Sequence, residues 1–244
     1  MIVVTGLGRS GTSLIALLYR ELGFDPGGEW YEHMDAGLEA PDVVTLNSRI
    51  IRGLGVGYPL RELPGWARGL EERLPGRAAA TLRGWFEVTP EIWSRRPAVR
   101  WQRFDSVVRG LAPRLVAVAR ARTVAKDPRF CWTLGTWAAA GAPIDHVLVC
   151  LRNVDSVIGS RVRLGDLSPG SWSASRNAMI MAAGMCLTSI HDHGLEHAIL
   201  RFPAFLDEPR RLYEVMRFPG PVPWETFSDA FDRVTDRGRV HDWR

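Results

Sequence analysis

The sequence predicts a three-layer α/β fold, with a central parallel sheet of four to five strands flanked by helices and a helical cap region beside it. Three observations carry that expectation. Short β-branched or apolar runs stand at 2–5 (IVVT), 122–126 (RTVAK) and 146–151 (HVLVCL), with a fourth candidate at 197–201 (HAILR). Each of the first three is followed by helix-compatible sequence, the rhythm of a parallel sheet whose strands are buried on both faces. The chain also has 244 residues, 46% apolar and 24% charged, close to the globular average and enough for one well-buried core. Residues 1–244 are therefore expected to form one domain.

After the first run, Leu14, Leu17, Leu18 and Leu22 recur at helical spacing, and Gly23 closes the pattern as a helix stop. Residues 60–120 show no strand pattern and carry Trp66, Trp85, Trp93 and Trp101 among Arg and Ala. We read the stretch from about 55 to 120 as a mostly helical cap or insertion. Its tryptophans are core or helix-packing residues, or else one or two of them line an acceptor pocket. Residues 174–193 form another long helix, and 207–217 and 223–233 short ones. Internal repeats and low-complexity segments are absent.

The net charge is +4 and the pI about 9.3, from an Arg excess spread along the chain. That favours an anionic ligand without implying nucleic acid, and no RNA-binding signature appears. Cys131, Cys150 and Cys186 are odd in number and widely spaced, so they read as small buried hydrophobes rather than disulfide partners. The start, MIVVTGLGRS, lacks a basic region ahead of an apolar stretch, and no window approaches the roughly 18 apolar residues of a membrane span. A soluble, reduced, cytoplasmic protein is expected, with its oligomeric state left open.

The strongest local signal is GLGRSGTS at 6–13, between the first strand and the first helix. Glycines there let the backbone curl with its N–H groups inward, and a helix start adds positive potential, so an anion is held. Gly6 and Gly11 have the spacing of a P-loop, but Thr12 stands where the nucleotide-hydrolysing loop has lysine. The cation lies earlier, at Arg9, after Gly8, and three hydroxyls follow at Ser10, Thr12 and Ser13. Alternatively this is an ordinary glycine-rich turn, with Arg9 at the surface and the hydroxyls capping the helix. The segment resembles the 5′-phosphosulfate loop of the sulfotransferase superfamily, in which Lys or Arg precedes Ser-Gly-Thr-Thr/Ser.

A second signal lies at 146–161. The run HVLVCL leads into Arg152, and LRNVDSVIGSR carries Ser160 eight residues further on. With a helix beginning near Asn153, Ser160 falls two turns in, on the face of Ser156, and Arg152 at the strand end can meet the same ligand. Arg and Ser so placed resemble the 3′-phosphate site of sulfotransferases. The resemblance extends to KDPRF at 126–130, AGLEAPDVVTLN at 36–47 and LRFPAFLDEPRRLYEVM at 200–216. It implies a P-loop NTPase-like fold and 3′-phosphoadenosine 5′-phosphosulfate as donor, with adenosine 3′,5′-bisphosphate as product. One departure is the family's C-terminal Arg-Lys-Gly phosphate loop, for which Arg237 and Gly238 are a weak counterpart.

Sulfuryl transfer needs an in-line nucleophile and stabilisation of charge on the leaving oxygens. On this reading Arg9, the loop N–H groups, Thr12 and Ser13 bind the 5′-phosphate and neutralise the charge that grows as it leaves. No carboxylate cluster suggests a metal, and His191, His193 and His197 are read as helix-end and surface residues. The base that takes the acceptor's proton is Glu39, Asp127 or His33. Glu39 lies in AGLE, which resembles a Gly-x-x/Phe-Glu segment of related enzymes, though a solvated loop glutamate fits equally well. Asp127 faces the same cleft, or else pairs with Lys126 or Arg129 to shape a turn. The acceptor is a small molecule or glycan bearing a hydroxyl or amine. Two other functions compete: a P-loop small-molecule kinase, and a non-catalytic nucleotide-binding module.

Overall fold

The computed structural model describes residues 1–31, 36–54, 101–163 and 172–235. Its sheet has four parallel strands, β1 (Ile2–Gly6), β4 (Val124–Lys126), β5 (His146–Leu151) and β6 (His197–Arg201), in the order β4-β1-β5-β6. All four coincide, within two residues, with the runs legible in the sequence. A two-stranded antiparallel pair, β2 (Trp30–Tyr31) and β3 (Ala36–Gly37), stands apart from it.

Strand β1 is central and wholly buried, pairing β4 through Ile2 to Val124 and β5 through Gly6 to Cys150. Burial on both faces explains its continuous apolar run, since each face must meet a layer of helices. On one face Val3, Ala125, Val147 and Val149 pack with α2 (Pro41–Leu54), α3 (Phe104–Arg120), α4 (Phe130–Ala139), α5 (Val154–Arg163) and α6 (Trp172–Asp192). On the other, Ile2, Val4, Leu148, Cys150 and Leu200 pack with α1 (Thr12–Glu21), α7 (Pro209–Val215) and α8 (Trp224–Val234). Helices thus cover both faces of the sheet.

The helix α1 stops as its sequence suggests: Gly23 is left-handed (φ 86°) and its N–H returns to Arg20 O at 3.0 Å. Its buried side differs by one position from the leucine pattern. Ile15, Leu18 and Tyr19 are fully buried, whereas Leu14, Leu17 and Leu22 are half-buried. Of the expected cap, residues 104–120 form α3, whose Leu115 and Ala119 join the core beneath α2 and α4. The remaining cap residues up to 100, with Trp66, Trp85 and Trp93, lie outside the described residues, as do Arg237 and Gly238. Trp101 is described and 58% exposed. The three cysteines are free and buried. Among the described residues no helix is long and apolar enough to cross a membrane.

Candidate functional site

Because β1 and β5 are adjacent and parallel, their carboxyl ends deliver the loop 6–13 and Arg152 to the same edge of the sheet. Gly6 begins the loop where no side chain fits: a Cβ there would stand 2.0 Å from Cys150 O. Gly11 is the N-cap of α1 in left-handed conformation (φ 89°), and no side chain caps that helix start. Ser10 is fully buried within this turn, and its Oγ has no hydrogen-bond partner. A helix N-terminus without a side-chain cap, beside an orphaned buried hydroxyl, fits an oxyanion. Thr12 is buried in the first turn of α1, and Gly8 is half-buried.

The two predicted phosphate segments meet in space. Arg9 Nε donates to Ser160 Oγ at 3.4 Å, and Arg152 Nη1 donates to Arg9 O at 3.2 Å. Asn153 starts α5 as expected, its Oδ1 accepting the Ser156 N–H at 3.1 Å, and Ser160 follows on a buried turn. Arg9 itself is left-handed (φ 69°). A non-glycine residue in that region costs on the order of 1–3 kcal/mol, which the surrounding bonds must hold in place. The other described non-glycine residue with positive φ is Leu38 (φ 67°), directly before Glu39.

Two cations to which the sequence assigns no anion-binding role also reach this edge. Lys126, at the end of β4, is 1% exposed and donates to Ser13 Oγ at 3.0 Å, to Gly37 O at 2.9 Å and to the Glu39 carboxylate. Burial pushes its ammonium below the ordinary value, opposed mainly by the charge of Glu39. Arg161, next to Ser160, is buried beside the loop, such that a Cβ on Gly8 would lie 3.4 Å from its Nη1. Arg152 is pulled down by burial first, then by the like charges of Arg9 and Arg163. Arginine and lysine side chains thus converge at the strand ends, an arrangement that favours an anion between them.

Glu39 and Asp127 occupy different environments. The Glu39 side chain is 24% exposed and is tied through Lys126 to Ser13 of the loop. Asp127 is wholly buried: Oδ1 accepts the Arg129 N–H at 2.9 Å and Arg129 Nη1 at 3.0 Å, and Oδ2 accepts Asn47 Nδ2 at 2.9 Å. Both of its oxygens are engaged, and the pairing with Arg129 is the contact that the turn-shaping alternative describes. His33 lies outside the described residues. Among the described residues no group of three or more His, Cys, Asp or Glu side chains gathers to hold a metal.

No family model matches the chain, and no curated protein and no solved structure does.

Proposed function

We propose that the protein is a sulfotransferase that takes a sulfuryl group from 3′-phosphoadenosine 5′-phosphosulfate to a hydroxyl or amine of a small-molecule or glycan acceptor. The observation that carries this reading is the contact between two anion-binding segments, Arg9 to Ser160 and Arg152 to the Arg9 carbonyl. One phosphate-binding turn suits many nucleotides. A second Arg and Ser pair bonded to the same turn suits a nucleotide carrying a further phosphate, which separates this donor from ATP. The P-loop-like order of strand, glycine-rich turn and helix at 2–21 supports the same reading.

Within it, the α1 N-terminus, Ser10 and Arg9 hold the 5′-phosphate, and Arg152 with Ser160 holds the 3′-phosphate. The donor supplies an activated sulfuryl group, whose bond to the phosphate oxygen breaks as the acceptor's oxygen or nitrogen bonds to sulfur. The electron pair stays on the departing phosphate oxygen, where Arg9 and the loop N–H groups stabilise it. Lys126 steadies Ser13 and the Glu39 carboxylate at the loop. Glu39 accepts the acceptor's proton.

A second reading, a small-molecule kinase, has one observation in its favour. Lys126 reaches Ser13 from β4 and so returns a lysine to the loop that lacks one at position 12. The nucleotide's 3′ position separates the two. In Arg152→Ala, affinity for adenosine 3′,5′-bisphosphate should fall by about 2 kcal/mol, roughly thirtyfold, because a charge-assisted contact is lost. Affinity for adenosine 5′-monophosphate should fall much less, because Arg152 meets the first loop through the Arg9 carbonyl alone. Calorimetric titration of both ligands measures the split, and equal weakening of the two would remove Arg152 from the 3′ site.

A further inference from the structure

Phe202 follows β6 at the carboxyl edge of the sheet, where its N–H donates to Leu151 O at 2.7 Å. That bond brings its side chain beside Arg152, whose guanidinium carbon lies 5.0 Å from the ring centroid. The same ring abuts the first loop: a Cβ on Gly11 would stand 2.7 Å from Phe202 Cδ2. Phe205 supports it, the two ring centroids lying 5.7 Å apart. One aromatic side chain thus touches both anion-binding segments.

Arg152 needs such a support. Burial and the cations Arg9 and Arg163 all act against its charged form, and a long arginine stem loses rotamer freedom when it is held in place. A flat aromatic face offsets the like charge through its quadrupole and restricts the guanidinium to one plane. The bond from Nη1 to Arg9 O then sets the direction in which that plane presents its remaining donors.

We propose that Phe202 is a positioning residue for Arg152. Its ring fixes the guanidinium at a set distance from the first loop, so that the two sites together select a ligand with two phosphate groups over one with a single group. The identity of that ligand rests on the sulfotransferase reading; the positioning rests on the ring contacts.

Phe202→Leu keeps apolar volume against Gly11 and Phe205 but removes the aromatic face, Phe202→Met does the same with a more adaptable chain should leucine unfold the protein, and Phe202→Tyr keeps the face. In the leucine variant, affinity for adenosine 3′,5′-bisphosphate should fall roughly fivefold, the change that a cation–π contact of about 1 kcal/mol corresponds to. Adenosine 5′-monophosphate should bind as before, and tyrosine should restore the bisphosphate. Nitrogen-15 relaxation of the Arg152 Nε–H in the ligand-free protein should show greater motion in the leucine variant and none added in the tyrosine variant. Equal weakening of both nucleotides, or an Arg152 Nε–H as ordered in Phe202→Leu as in the parent, would overturn the proposal. A parent protein that binds neither nucleotide would overturn the sulfotransferase reading, and the relaxation measurement would then decide the positioning by itself.

Discussion

Replacing Asn47 by leucine should lower the stability of the fold by about 4 kcal/mol. Asn47 is fully buried on α2, and its amide group makes three hydrogen bonds: Nδ2 donates to Asp127 Oδ2 at 2.9 Å, while Oδ1 accepts from Thr133 Oγ1 at 2.7 Å and Trp137 Nε1 at 2.8 Å. Leucine fills a similar volume but leaves a buried carboxylate oxygen and an indole N–H without that partner. Each such orphan costs roughly 1–3 kcal/mol, and more when charged. Thr133 loses less, because its hydroxyl also reaches Arg129 O at 3.1 Å. For a chain of this size the loss corresponds to a fall in Tm of roughly 10 °C, read by calorimetry. A Tm within about two degrees of the parent would mean that the network contributes little and that Asp127 tolerates an open oxygen.

The second large effect concerns turnover. If Glu39 takes the acceptor's proton, Glu39→Gln should keep affinity for adenosine 3′,5′-bisphosphate while lowering kcat roughly a hundredfold, since positioned general bases contribute about that much. Glutamine retains an oxygen for Lys126 but not the charge that opposes the lowering of its ammonium, so unchanged bisphosphate affinity is the sign that the tie to Ser13 persists and that the loss falls on proton transfer. Asp127→Asn should act differently, through stability and loop geometry, because both Asp127 oxygens serve Arg129 and Asn47. Sulfuryl transfer to an acceptor library, measured at saturating donor, compares the variants. Normal turnover in Glu39→Gln beside an inactive Asp127→Asn that still binds nucleotide would reverse the assignment.

The parts of the site that could be read from sequence share one property: their chemistry is local. GLGRSGTS is a turn between a strand and a helix, and its glycines, cation and hydroxyls are set by neighbours in the chain. Arg152 and Ser160 are eight residues apart on one strand–helix unit, so the local chain places both at one end of the sheet, where Arg9 bridges them. The four strands were equally legible, because burial on both faces writes a continuous apolar run. Lys126 was not. At the end of the RTVAK run it reads as a partner for Asp127, whereas its burial and its ties depend on Gly37, Glu39 and Ser13 arriving from distant segments. Asn47 was hidden for the same reason. On α2 it looks like a solvated helix residue, and only the docking of α4 with Thr133 and Trp137 makes it a buried hub. The two candidate carboxylates could not be separated by sequence, since both stand in polar loops; what separates them is exposure and the number of donors each accepts.

Whether the joined anion sites accept a nucleotide phosphorylated at both its 3′ and 5′ positions is decided by calorimetric titration of the unmodified protein with adenosine 3′,5′-bisphosphate and, separately, with ATP and magnesium. Saturable binding of the bisphosphate at least tenfold tighter than ATP, about 1.4 kcal/mol, is expected from the contacts of Arg152 and Ser160 to the 3′-phosphate. ATP bound more tightly than the bisphosphate, or no binding of the bisphosphate at all, would contradict it.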